Sequence, residues 1–378
     1  MSYIHQNPEW PNLRWDNAKL LPLLADVRHR QGRLLGRMEG LGLRLRAEAS
    51  LTTLTSDVIK SSAIEGSLLD AAQVRSSIAR RLGLDFGGPA KASRDVEGVV
   101  EMMLDATQKY AEPLTSERLF GWHASLFPTG RRGMRRITVG AWRPADIGAM
   151  QVVSGPIGRE RIHFEAPTAD RLGREVPAFL DWFEAANGID PVLKAGIAHF
   201  WFVTLHPFED GNGRISRAIA DMALARAEGT MDRFYSMSTQ IEAEKKRYYQ
   251  NLEHSQKGGV DITSWLEWFL GCLGRAVAGA EAGLAGVLRK AKVWERINNQ
   301  SPVNERQRKV INQLLDGFEG KLSTSKYARL AKCSGDTALR DIKILLDQGV
   351  LIQDQGGGRN TSYRLAEPDD QHPPSSRG

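Results

Sequence analysis

The stretch Leu205-His206-Pro207-Phe208-Glu209-Asp210-Gly211-Asn212-Gly213-Arg214-Ile215-Ser216-Arg217 decides how this chain is read. An apolar helix, Phe200-Trp201-Phe202-Val203-Thr204-Leu205, delivers a histidine directly before a proline, where helices ordinarily end. Gly211-Asn212-Gly213 then makes a tight turn, and a new helix starts near Arg214. Glycines let the backbone approach a ligand closely, and their N–H groups join the positive end of the helix. That combination is an anion pocket suited to phosphate. Arg214 and Arg217 are three apart on the new helix, so they share a face and can both reach a polyphosphate. Asp210 supplies a hard oxygen beside the pocket, which suits Mg²⁺ carried by a nucleotide. His206, at the rim, is placed to take a proton from an incoming nucleophile. A plainer alternative is a helix–loop–helix whose histidine only caps a helix, but that need not gather all these residue types on one short loop.

Outward from this loop the chain reads as mainly α. Leu20, Leu21, Leu23, Leu24 and Val27, then Leu34, Leu35 and Met38, recur at helical spacing. Arg28, Arg30, Arg33 and Arg37 among them read as a solvated basic face. Helical runs follow over 51–69, 71–82 and 93–110, with a break at Gly87-Gly88-Pro89. Thr115 or Ser116 makes a suitable N-cap for the run 119–126. From Gly130 to Pro167 the periodicity gives way to glycines, prolines and β-branched residues. Val152-Val153 and Ile162-His163-Phe164 flank a loop carrying Gly155-Pro156 and Gly158, the pattern of a β-hairpin. His163 reads as structural. Helices are expected again over 171–186, 191–205, 215–228, 239–253 and 263–288.

The last segment changes character. Helices over 304–315, 323–330 and 334–346 precede short strands at 350–353 and 361–365, around Gly356-Gly357-Gly358-Arg359. Three helices and a glycine-tipped hairpin describe a winged helix-turn-helix. Residues 303–366 carry 11 Lys+Arg against 7 Asp+Glu. The segment 334–346 would be the recognition helix, with Arg359 able to reach a groove or a phosphate. Residues 367–378 form a polar, proline-containing tail expected to be disordered.

Composition sets the frame. The 378 residues suggest two or three domains and enough chain for a substantial core. A hydrophobic fraction of 41% argues against general disorder. Two cysteines, Cys272 and Cys333, exclude a disulfide framework and a Cys-rich zinc finger, and point to a reducing, cytoplasmic setting. No apolar run reaches 18 residues, so no membrane span is expected. A net charge of +6 permits nucleic-acid contact without demanding it.

The loop resembles the signature of Fic-domain proteins, His-x-Phe-x-(Asp/Glu)-Gly-Asn-Gly-Arg-x-x-Arg, at every defined position from His206 to Arg217. The resemblance extends from about Thr115 to Leu270, taking in the hairpin and the stretch Tyr248-Tyr249…Leu252. Upstream, Ser61-Ser62-Ala63-Ile64-Glu65-Gly66 resembles the family's inhibitory-helix pattern, (Ser/Thr)-x-x-x-Glu-(Gly/Asn). The resemblance implies a Fic-type helical core (113–290) with a β-hairpin flap. An N-terminal helical extension (1–112) carries the inhibitory helix, and the winged helix (303–366) and tail (367–378) follow.

The function so implied is protein adenylyltransfer: AMP passes from ATP to a Tyr, Ser or Thr hydroxyl of a target protein. His206 would be the base and Asp210 the Mg²⁺ ligand. Gly211, Asn212, Gly213, Arg214 and Arg217 would hold the phosphates, Asn212 at the α-phosphate. Tyr249 would neighbour the adenine, with core packing as its competing role. Phe208 would be buried as an anchor. Glu65 would pair with Arg217 and obstruct the γ-phosphate position. The target would dock on the 152–164 flap. Self-modification, a homodimer and DNA contact through 303–366 are open. Two alternatives stay open as well: Fic transfer of another phosphate-containing group, and a DNA-binding regulator whose Fic core is vestigial. The phosphate-transferring branch departs at the second motif glycine, which is retained here as Gly213.

Overall fold

The computed structural model describes residues 2–84, 91–156, 159–300, 302–315, 321–354 and 361–366, without the side chains of 132, 147, 284–292, 299 and 300. The chain divides into two compact units, Met1–Glu281 and Ala282–Gly378. The architecture is mainly helical. In order come α1 (Asn17–Glu39), α2 (Leu43–Ile64), α3 (Ala71–Arg81), α4 (Arg94–Gln108) and α5 (Ser116–Leu126). Two short hairpins follow, β1 (Arg131–Arg132) with β2 (Arg135–Arg136), and β3 (Gln151–Ser154) with β4 (Arg161–Glu165). Then come α6 (Ala169–Glu184), α7 (Pro191–Leu205), α8 (Asn212–Glu228), α9 (Met237–Ala243), α10 (Lys245–Gln256) and α11 (Thr263–Gln300).

Helix α7 is the hub of the first unit. Val192, Leu193 and every residue from Ala195 to Leu205 are buried, so it is apolar on all sides, as a central helix must be. Pro191 opens it and Asp190 caps it through the Val192 N–H. Close approach to α11 requires Gly196, where a Cβ would stand 2.9 Å from the Phe269 ring. The Gly196 carbonyl accepts a hydrogen bond from Trp265 Nε1 at 2.8 Å. Helix α8 is buried along most of its length and meets α2 through Arg217 and Ser61. The extension is thus packed into the same unit as the core.

Caps set several boundaries as the sequence suggests. Thr115 accepts from the Arg118 N–H at the start of α5. The continuous helix expected over 239–253 is instead broken into α9 and α10 at Glu244, whose backbone leaves the helical region (φ −111°, ψ 24°). Its carboxylate is drawn off by the Arg275 guanidinium, with Nε at 2.5 Å and Nη2 at 2.7 Å. Sequence periodicity runs smoothly across this break. Helix α11 continues past 288 to Gln300.

The β3–β4 hairpin is antiparallel, with Val152 opposite Phe164 and Ser154 opposite Arg161. A register shift between Val152 and Val153 leaves His163 as the extra residue. His163 Nδ1 meets Glu253 Oε2 of α10 at 2.6 Å, and Arg161 Nη2 donates to Glu253 Oε1 at 2.9 Å. His163 therefore ties the hairpin to α10. Residues 157–158, at the hairpin tip, lie outside the described residues.

The second unit holds α12 (Glu305–Leu315), α13 (Thr324–Ala331), α14 (Gly335–Asp347), β5 (Leu351–Gln353) and β6 (Tyr363–Leu365). Strands β5 and β6 pair antiparallel, and Leu322 bridges to Tyr363. Val310, Ile311, Tyr327, Ala338, Ile342, Leu345 and Leu351 form its core. The glycines 356–358 with Arg359, the break at 87–89 and the tail 367–378 lie outside the described residues.

Candidate active site

The loop between α7 and α8 gathers most of the motif residues. His206 ends α7 in the left-handed conformation (φ 48°, ψ 53°), its N–H still bonded to the Phe202 carbonyl at 3.1 Å. Its ring Nδ1 lies 3.3 Å from the Val203 carbonyl. A carbonyl only accepts, so Nδ1 carries the proton and Nε2 is the basic nitrogen. Burial lowers its pKa to about 4; the Val203 carbonyl opposes, Arg143 adds to the fall, and Glu65 and Asp210 pull upward. The ring is therefore neutral at physiological pH and able to accept a proton.

Phe208 is fully buried and anchors the loop. Its ring stacks on His123 of α5 at 4.2 Å between centroids, with Trp142 at 5.0 Å. His123 Nδ1 accepts from the Gly140 N–H at 3.3 Å, and burial pulls its pKa to about 4. Gly211 adopts φ 81°, a turn that only glycine takes without strain. Asp210 accepts from the Gly211 N–H through Oδ1 at 2.7 Å. Glu209 points the other way, accepting from the Thr138 N–H at 2.8 Å.

Asn212 braces the loop. It is 2% exposed, and its amide bonds Phe208 at both ends: Oδ1 accepts from the Phe208 N–H at 3.0 Å, and Nδ2 donates to the Phe208 carbonyl at 2.8 Å. The reason is geometric: the Gly211 turn brings residue 212 back over residue 208.

On α8 the two arginines differ. Arg214 lies with its guanidinium 5.1 Å from the Phe127 ring. Arg217 is 2% exposed and held by α2: Nε donates to Ser61 Oγ at 3.0 Å, Nη2 to the Ser61 carbonyl at 2.9 Å and to Glu65 Oε1 at 2.9 Å. Its Nη1 is buried without a hydrogen-bond partner, a donor of the kind a phosphate oxygen satisfies. Burial pushes the Glu65 carboxyl up, but Arg217, with Arg214 and Lys245, outweighs it and leaves the group below its ordinary value. Gly213 leaves room for the same contact, because a Cβ there would stand 2.3 Å from Glu65 Oε1 and displace that carboxylate. Gly66, with φ 83°, ends α2 immediately after Glu65.

Tyr249 is 39% exposed, and its hydroxyl donates to the Ile64 carbonyl at 3.5 Å, which brings it to the same end of α2 as Glu65. The site residues therefore come together from α2, α7, the loop, α8 and α10. Further along the α2–α8 seam, Asp57 Oδ1 accepts from the Ser238 N–H at 3.1 Å, and Arg233 Nη2 donates to Asp221 Oδ1 at 3.3 Å. The Oδ2 atoms of Asp57 and Asp221 are both buried without a partner. Burial and then Asp57 raise the Asp221 carboxyl well above its ordinary value.

Two residues of the site carry no sequence signal. His123 is one histidine on an amphipathic helix. Arg143 reaches the loop from the segment before the hairpin, its Nε donating to the His206 carbonyl at 2.8 Å. Among the described residues, no cluster of three His, Cys, Asp or Glu could hold a metal ion, and no helix is long and apolar enough to cross a membrane.

Comparison with known proteins follows this geometry. Residues 113–224 match the Fic/DOC family model, and residues 3–84 match a domain of unknown function, DUF4172. The chain is similar to protein adenylyltransferase fic-1 of Caenorhabditis elegans, 28% identical over 167 residues, which are 44% of this chain and 30% of that protein. It is similar to protein adenylyltransferase Fic of Drosophila mojavensis, 24% identical over 214 residues, 55% of this chain and 38% of that protein. The matches span about a third of the length of these curated relatives. Among solved structures, a Fic family protein from Desulfovibrio desulfuricans superposes with a TM-score of 0.54 at 23% identity, covering 92% of this chain and 95% of that one. A Fic domain containing signaling protein from Bacteroides thetaiotaomicron gives 0.50 at 18% identity, over 68% of this chain and 95% of its own. These two likenesses concern the fold. With the family match over the loop itself, they identify residues 113–224 as a Fic domain.

Proposed function

We propose that the chain is a protein adenylyltransferase held in check by Glu65. The observation that carries this is the Glu65–Arg217 pair, set near the N-terminus of α8 beside a neutral histidine. ATP would lay its phosphates on the N-terminus of α8, where the N–H groups, Arg214 and Arg217 converge. Asp210 would hold a Mg²⁺ that arrives with the nucleotide and offsets phosphate charge; a single carboxylate fits an ion whose other ligands are phosphates and water. A target hydroxyl attacks the α-phosphorus, the bond to the bridging oxygen of the β-phosphate breaks, and pyrophosphate leaves. The hydroxyl proton passes to His206 Nε2. Positioning and charge stabilisation supply the rate. Arg217 cannot satisfy both the Glu65 carboxylate and a γ-phosphate, which makes the carboxylate a competitor for the nucleotide.

Tyr249 would stand near the adenine. The target would lie along the β3–β4 hairpin, whose paired Val153 and Ile162 are 48% and 43% exposed and offer an apolar, open edge to an extended segment. We place this activity in the cytoplasm, consistent with the free thiols Cys272 and Cys333. The test is incubation of the Glu65→Gly chain with ATP labelled at the α- or γ-position. Transfer of the α-label alone supports the proposal; transfer of the γ-label alone refutes it.

The second unit adds a separate proposal: residues 303–366 are a winged-helix module. Helices α13 and α14 followed by the β5–β6 pair support it. The solvent face of α14 carries Arg340 and Lys343, which suit DNA, beside exposed Leu339 and Ile344, which suit a protein. Duplex binding by the full chain that weakens linearly in log salt supports DNA. No binding at low salt assigns the module to protein docking.

A further inference from the structure

Arg143 belongs to no motif, yet the loop closes around it. It is 2% exposed. Its backbone N–H donates to the Pro207 carbonyl at 2.9 Å, its Nε to the His206 carbonyl at 2.8 Å, and its Nη2 to the Pro167 carbonyl. Two successive carbonyls of the catalytic loop and one at the exit of the β3–β4 hairpin thus converge on one residue, the His206 and Pro167 carbonyls on its side chain. Its hydrogen-bond partners are carbonyls, so the charge is buried without a carboxylate held directly against it. Burial accordingly pulls its guanidinium below its ordinary pKa, with Asp170 the carboxylate that opposes. Such a cation is costly to keep where an apolar side chain would pack.

What it holds is itself unusual. Among the described residues, His206 and Lys332 are the two non-glycine residues with positive φ. His206 also precedes a proline, a position that favours extended backbone. Left to local preference, the peptide before Pro207 would rotate away, and the imidazole would go with it. The Arg143 guanidinium meets the one carbonyl whose direction reports that rotation.

We propose that Arg143 is the positioning residue of this site, its guanidinium locking the His206 carbonyl and thereby fixing the base in its left-handed geometry. It acts through His206 and does not touch the nucleotide, whose phosphate ligands lie beyond the loop on α8. Because Nη2 reaches the hairpin exit, the same side chain sets the histidine relative to the strand that receives the target. The proposal rests on AMP transfer as the activity.

The test is made in the Glu65→Gly chain, with Arg143→Met and Arg143→Lys added. Misplacing a base by about an ångström costs on the order of 10²-fold, and losing a supporting hydrogen bond about 10- to 100-fold. Arg143→Met should therefore lower kcat by about 10- to 100-fold and leave KM for ATP unchanged. Arg143→Lys, which can still reach the His206 carbonyl, should recover part of the rate. The His206 Cα and Cβ carbon-13 shifts, which report left-handed backbone, should move toward extended values in Arg143→Met. An Arg143→Met chain with the parent's kcat, or with a raised KM and unchanged kcat, overturns the proposal, as do unmoved His206 shifts. If the Glu65→Gly parent transfers no AMP, the activity is wrong, and the carbon shifts still decide the lock. If the methionine variant does not fold, the shifts and kcat of the lysine variant, lying between folded parent and loss, carry the same decision.

Discussion

Removing the Glu65 carboxylate should accelerate AMP transfer, and the structure sets the size of the gain. Arg217 has three contacts to α2, two to Ser61 and one to Glu65. Glu65→Gly deletes only the last, but that is the contact between full charges, with Arg217 buried. A hydrogen bond to a charged group contributes about 1.5–3 kcal/mol. That energy holds the obstructed state over the productive one, so its loss should raise the productive population roughly 10- to 150-fold. The assay is incorporation of α-labelled AMP by wild type, Glu65→Gly, Arg217→Ala and the double variant at one ATP concentration. Arg217→Ala should be slow, and Glu65→Gly with Arg217→Ala equally slow, because the side chain set free is itself the phosphate ligand. A Glu65→Gly rate equal to wild type, or an active double variant, would refute the reasoning.

Three further outcomes follow from the same geometry. His206→Ala should reduce transfer by about 10²–10⁴-fold while ATP binding by calorimetry persists, since the base lies at the rim; in the parent, a pKa of about 4 means the rate should stay flat from about pH 6 to 8 and fall only in acid, and a limb near the ordinary histidine value would contradict this. Gly213→Ala places a methyl where Glu65 Oε1 sits, so Glu65→Gly should activate that variant far less than it activates wild type; an undiminished activation ratio would remove Gly213 from the account. Asp221 has a raised pKa in the fold, so its contribution to stability is complete below the ordinary carboxylate value of 3.8 and is lost as pH rises through the raised one; Asp221→Asn, which cannot ionise, should flatten the dependence of Tm on pH over that window, and an unchanged slope would count against the raised Asp221 carboxyl.

The loop was legible in the sequence because its determinants are local. A proline after the histidine, glycines at 211 and 213 and arginines three apart each act within a few residues, and the resulting turn and helix start are where they were expected. Caps behave the same way, as Thr115 shows. The pairing of Glu65 with Arg217 spans 152 residues, and only a family resemblance pointed to it. Arg143 and His123 were missed because what they hold is backbone or a ring far along the chain, which leaves no periodicity. The motif points Asn212 to a phosphate; what its place there does not show is that the turn also folds its amide onto Phe208. The break at Glu244 is a further case, an interruption where the Glu244 side chain pairs with Arg275, in a segment whose own pattern is continuous.

The α2–α8 seam bears on how fast the brake works. Asp57, Ser61 and Glu65 lie four apart on α2, along one stripe of the helix. Asp57 and Ser61 keep their partners whether or not Glu65 lets go. Under the proposed inhibition, release would be a movement of one side chain at the helix end and not an undocking of the helix, which takes microseconds or longer. Progress curves would then begin without a lag when ATP is added, and an activator would have no slow isomerisation to wait for.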